Sequence, residues 1–92
     1  MSATPREHTR TYYLGKLAAE LEQRGLVAAL RRYPLVLRIS DPQRTAMLAE
    51  TVDCVPVADG WFYRWSWGEL VGSADDPVLA AERIVHVLTA RQ

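Results

Sequence analysis

The sequence predicts a single α+β domain over residues 1–92: a four-stranded antiparallel meander flanked by N- and C-terminal helices on one face (α-β-β-β-β-α). Three observations predict it. Apolar residues recur at helical spacing near both ends, at Leu14, Leu17, Ala18 and Leu21 and again at Val78, Ala81, Ile84, Val85 and Leu88. Between them lie β-branched and aromatic runs, Leu35–Ile39, Thr51–Val57 and Trp61–Trp67. Turn residues punctuate those runs at Tyr33-Pro34, Asp41-Pro42 and Ala58-Asp59-Gly60.

Each element follows from local chemistry. Thr4-Pro5-Arg6-Glu7 reads as a capping box with proline at the first helical position. The first helix then runs over about residues 6–24, with Lys16, Glu20 and Gln23 opposite its leucines. Gly25 suits a left-handed cap, with Leu26 folding back on the last turn. Propensity alone would continue a helix through Val27–Arg32, but Gly25 stops it and Tyr33-Pro34 breaks the chain. A strand at 26–32 hairpinned to a second at 35–40 is therefore expected. Gln43–Glu50 reads as a loop or helical turn. Thr51–Val57 is the third strand, where Pro56 marks an edge or a bulge. Trp61–Trp67 returns as the fourth, and Gly68–Ala74 is a connection. Asp76 caps the second helix and Pro77 opens it, with Glu82, Arg83 and His86 pointing away from the sheet.

All three tryptophans fall within GWFYRWSWGEL. Alternation along a strand puts Trp61, Tyr63, Trp65 and Trp67 on one face and Phe62, Arg64 and Ser66 on the other. The second row is polar, so the first should lie beneath the helices. A chain of 92 residues buries only about 60–65% of its unfolded surface, so such large side chains are needed as core. An aromatic platform for bases would need that face open. A cofactor box lacks a glycine-rich phosphate loop, and no cofactor is expected.

Interest passes to the opposite sheet face. It should carry Arg31, Val36, Arg38, Phe62 and Arg64. An Asp59-Gly60 turn would add Val55 and Val57; a longer turn would add Cys54 and Pro56. Apolar residues mixed with arginines on an uncovered sheet suit a protein contact, either with a different partner or in a homodimer. The plainer reading is a solvated face with snorkelling arginine stems.

Composition narrows the classes. Eleven basic residues balance eleven acidic ones, so nothing attracts nucleic acid or anionic membrane globally. Nucleic acid, the weaker partner class, would need Arg31, Arg32, Arg38, Arg44 and Arg64 to gather locally, and no groove-reading element is evident. The lone Cys54 argues for no disulfide, and MSATPREHTRTYY has no apolar signal core. No apolar run approaches the roughly 18–20 residues of a membrane span, so a cytoplasmic protein without membrane contact is expected. Two histidines and scattered carboxylates assemble no nucleophile–base pair and no metal-ligand spacing. The expected protein is not an enzyme and holds no metal.

The succession Leu17-x-x-x-Leu21-x-x-x-Gly25-Leu26, Leu35-Val36-Leu37-Arg38-Ile39, Trp65-Ser66-Trp67-Gly68-Glu69 and Asp75-Asp76-Pro77 with Ala80-Ala81-Glu82-Arg83-Ile84 resembles a group of small uncharacterised proteins from high-GC bacteria. The likeness covers nearly the whole chain, which departs from the group in having little between its first two strands. Members are often encoded near helix-turn-helix regulators. The resemblance implies a bacterial regulatory accessory role and brings no catalytic residues. The expected function is thus an interaction module for a protein partner, such as a transcriptional regulator, or for its own copy. The alternatives are a small-ligand or single-stranded nucleic-acid binder using rim tryptophans, and an antitoxin-like or immunity-like inhibitor.

Overall fold

The structure, a computed structural model, describes residues 5–43, 49–58 and 60–90. The fold is α+β, but its sheet has five strands. Helix α1 (Pro5–Gln23) leads into β1 (Val27–Arg31), β2 (Val36–Ser40), β3 (Glu50–Val57), β4 (Gly60–Trp65) and β5 (Leu70–Ser73), and α2 (Pro77–Ala90) is the last described element. The strands form one antiparallel meander in chain order. Helix α1 packs on β1, β2 and β3, α2 packs on β5, and the helices touch each other.

The predicted strand over 26–32 is present as β1, and a glycine explains why the helix does not continue. Gly25 has a φ of 85°. Its N–H donates to the carbonyl of Glu22, and that of Leu26 donates to the carbonyl of Leu21. These paired bonds are a Schellman cap, completed by Leu26 burying itself against the last turn. The proposed capping threonine lies outside the described residues. At the other helix Asp76 accepts a hydrogen bond from the N–H of Leu79, which is the N-cap expected before Pro77.

The fifth strand corrects the predicted connection over Gly68–Ala74. Ser66, Trp67 and Gly68 form a three-residue hairpin loop, not the end of a strand and the start of a linker. The N–H of Gly68 donates to the carbonyl of Trp65, and the N–H of Trp65 donates to the carbonyl of Glu69. Gly68 sits at a φ of 99°, the left-handed position that such a loop requires. The strand then bulges opposite Tyr63 and Arg64. That bulge sends Val71 into the core while Leu70 pairs with Arg64 on the far face.

Pro56 also finds its reason in the register. Strand β2 pairs with β3 only at Glu50, Thr51 and Val52. Beyond that point no described strand pairs with the β2 side of β3, so proline there interrupts no ladder among the described residues. Strand β4 pairs along the other side, with Cys54 opposite Tyr63 and Val57 opposite Gly60. Val57 opposite Gly60 is the last pair before the turn, so Gly60 already belongs to β4, and Asp59 lies outside the described residues.

The core lies between helices and sheet. Leu14, Leu17 and Leu21 from α1 meet Ala80, Ala81, Ile84 and Leu88 from α2 and Leu37, Ile39, Val52, Cys54, Tyr63, Trp65 and Val71 from the sheet. The small Ala80 and Ala81 let α2 approach closely. Two expectations for this helix fail. Val78 is exposed, since it falls at the helix start, beyond the sheet's cover. Arg83 does not point away: its guanidinium reaches back and donates to the carbonyl of Val71 at 2.8 Å. Gly72 makes room for it, because a Cβ there would stand 3.1 Å from the guanidinium.

Tyr63 is the largest side chain with no solvent exposure. Its hydroxyl donates to the carbonyl of Tyr13 at 2.7 Å, tying β4 to the middle of α1. Burial pushes its pKa well above the usual tyrosine value, and burial likewise pushes the neighbouring Cys54 thiol up to about 12. Both groups are raised acids, so each contributes stability that is present below its unfolded pKa and fades as pH climbs toward the folded value. Stability should therefore decline from about pH 9 upward. Tyr63→Phe should cost about 1 kcal/mol at pH 7 by removing the buried hydrogen bond, and should flatten part of the alkaline decline. Urea titrations of both proteins at pH 7 and at about pH 10.5 check both effects.

Candidate functional site

Residues directly opposite in an antiparallel pair share a face, so the register assigns every side chain. The face away from the helices carries Ala29 and Arg31 from β1, Val36 and Arg38 from β2, Asp53, Val55 and Val57 from β3, Phe62 and Arg64 from β4, and Leu70 from β5. All five residues expected on this face lie there. The valine pair of the first turn alternative is also the one present, with Val55 opposite Phe62 and Val57 opposite Gly60. Among the described residues no element is laid across this face.

Its electrostatics differ from the expected row of arginines. Asp53 stands opposite Arg64 and the two pair side on. Arg64 donates from Nε to one carboxylate oxygen at 3.1 Å and from Nη2 to the other at 2.7 Å. These bonds push the Arg64 pKa further above its already high range. Such a fork-to-fork pair holds both groups in place but leaves no net charge. Arg64 thus serves as a rigid polar element and no longer counts toward a basic patch. The signal was visible as alternating Asp53 and Arg64, but only the hairpin register brings them together.

What remains basic sits at one end. Arg31 and Arg38 are both exposed, on adjacent strands, and no ion pair holds either among the described residues. Arg32 follows at the β1–β2 turn, also exposed. Arg44 lies outside the described residues. The face therefore grades from a cationic corner at β1–β2, through a neutral pair, to the half-buried Phe62 and the exposed Leu70. A surface of this kind can take an apolar contact bordered by carboxylates. It offers too few cations to follow a nucleic-acid backbone.

The aromatic row divides. Tyr63 and Trp65 are interior, and Trp61 is half-buried against the core cluster. Trp67 is not interior: it is 46% exposed. The hairpin loop carries it off the strand and folds it flat over Trp65, with ring centroids 4.7 Å apart and planes 9° from parallel. Its indole N–H donates to Glu69. Beside this stack a cleft of about 350 Å³ opens between β5 and α2. Trp65, Val71 and Leu79 line it together with Glu82, Arg83 and His86. The cleft was missed in the sequence because β5 was.

Chemically reactive groups are few in either place. Cys54 is buried and its raised pKa keeps it a thiol at neutral pH, which makes it a poor nucleophile. Among the described residues no three His, Cys, Asp or Glu side chains stand together as a metal site. No described helix is long and apolar enough to cross a membrane.

No protein-family model, no curated protein and no solved structure matches the chain, so the functional reading rests on the geometry of this face and this cleft.

Proposed function

We propose that the protein is a non-enzymatic interaction module that binds a protein partner through the uncovered sheet face. The observation that supports this reading is the placement of Phe62, Val36, Arg31, Arg38 and the Arg64–Asp53 pair on one uncovered surface while the tyrosine and tryptophan core lies on the other side. Aromatic and arginine side chains are the residues that most often anchor protein interfaces, and here Arg64 is fixed by Asp53 before any partner arrives. The fixed pair at Arg64 gives register at low entropic cost, and the corner at Arg31 and Arg38 favours a partner with carboxylates at the matching edge. A transcriptional regulator and an inhibited protein both fall within this class.

The variant that tests it must leave the fold alone. Arg64→Glu would set two carboxylates against each other at Asp53, so Phe62→Glu combined with Arg38→Glu is the better choice. The double variant should keep the native unfolding free energy within about 1 kcal/mol in urea titrations, because neither side chain belongs to the core. It should lose the partners that the native protein retains when captured from its own cells. Identical retained partners would refute the reading.

A second reading has its own observation, the exposed Trp67 stacked beside the β5–α2 cleft. Under it the cleft or the indole face takes a small ligand or a base. Tryptophan fluorescence separates the two. The interaction-module reading predicts no quenching on titration with single-stranded oligonucleotides. Quenching that weakens steeply with salt, and is lost in Trp67→Ala, would move the function to the rim.

A further inference from the structure

Open sheet edges invite pairing, and folded proteins normally blunt them. This sheet has three stretches of edge, treated differently. Strand β5 is four residues long, is bulged at Val71, and has the Val71 carbonyl covered by the Arg83 guanidinium. The overhang of β3 beyond Val52 carries Pro56. Strand β1 has none of these devices. All five of its residues pair with β2 in unbroken register. It contains no proline and no inward-pointing charge, and beyond its ladder with β2 none of its backbone groups is bonded among the described residues. Two of its large apolar side chains are left exposed, Val27 at 48% and Leu30 at 38%, one on each face of the sheet.

We propose that β1 pairs antiparallel with β1 of a second copy, joining two sheets edge to edge. The argument for a second copy comes from the sequence Val27-Ala28-Ala29-Leu30-Arg31 itself. A two-fold axis at Ala29 sets Ala29 opposite Ala29 of the second copy, Ala28 opposite Leu30, and Val27 opposite Arg31. Small faces large on the helix side, and an aliphatic residue faces an arginine stem on the other. The two arginines never oppose each other, and they are the only charges on the strand. Both exposed apolar residues are covered. The chain carries no net charge, so copies do not repel at long range. A symmetric contact of this kind closes after two copies. A strand pair with two flanking apolar contacts buries less than the roughly 1,200 Å² of a standard interface, so the association is of the weak, reversible kind. The open face stays uncovered in this dimer, so this proposal and the one above fail separately.

Cysteine placement reads the register directly. Ala29→Cys puts two thiols opposite each other at the axis, within the Cα separation that a disulfide accepts. Arg31→Cys puts them four residues apart on each strand, about 13 Å, out of reach. Cys54 is buried and stays out of the exchange. Mild oxidation of the full chain should link Ala29→Cys into a covalent dimer and leave Arg31→Cys monomeric. Mixing Val27→Cys with Arg31→Cys should give the mixed disulfide. In the native protein, sedimentation should show a concentration-dependent dimer. Ala29→Glu, which faces Arg38 within its own sheet but a second glutamate across the axis, should weaken that dimer about fivefold or more. Equal linking of Ala29→Cys and Arg31→Cys would overturn the proposal, as would native protein that stays monomeric up to about 0.5 mM.

Discussion

A phenol shut away from water must give its proton to something inside the protein, and in this chain that acceptor decides how the layers sit. Tyr63 lies at the centre of β4 with no exposure, and its hydroxyl finds the carbonyl of Tyr13 on α1. The bond joins the helix layer to the sheet through residues 50 positions apart in the chain. Left unpaired, the hydroxyl would cost about 1–3 kcal/mol, a large part of what a domain of this size has to spare. Once it is made, α1 must cross over β1 to β3 at a fixed height. Leu14, Leu17 and Leu21 then close over Leu37, Ile39 and Val52, and α2 fills what remains beside β5. The bare face follows from the same constraint, because both helices among the described residues are drawn to the tyrosine side.

The sheet's division of labour was legible because period-two alternation is a strong signal when one row is aromatic and the other carries Phe62, Arg64 and Ser66. The strand after Gly25 was legible for a different reason: glycine and the Leu26 behind it are a stop signal that outweighs the helix propensity of Val27–Arg32. The fifth strand was hidden by the same alternation that revealed the fourth. Trp65-Ser66-Trp67 continues the pattern in sequence, yet Gly68 at positive φ turns the chain back at once. A period-two row and a three-residue hairpin loop are indistinguishable until one knows where the next strand pairs. Leu70-Val71-Gly72-Ser73 is short, bulged and holds a glycine, and so gives little sign of being a strand.

The candidate site was legible in membership and not in charge. Arg31, Val36, Arg38, Phe62 and Arg64 do share a face, but register alone decides that Asp53 stands against Arg64 and neutralises it. Arg83 shows the same limit on helix α2. Its position on the helix wheel suggests solvent, while the carbonyl of Val71 at a sheet edge supplies a partner that no helical pattern can show. Long-range polar contacts of this kind depend on topology and not on local pattern. The contrast between a guarded β5 and an unguarded β1 could not be drawn from residue types alone.

The helices cover the Tyr63 row and, among the described residues, leave the Phe62 row bare. Hydroxyl-radical footprinting of the native chain, read residue by residue and corrected for intrinsic reactivity, tests it most directly. Trp67 and Leu70 should be strongly oxidised, Phe62 appreciably so, and Tyr63 and Trp65 protected until the protein unfolds. Tyr63 oxidised as readily as Trp67, with Phe62 protected in the dilute protein, would mean that the helices lie on the other side of the sheet.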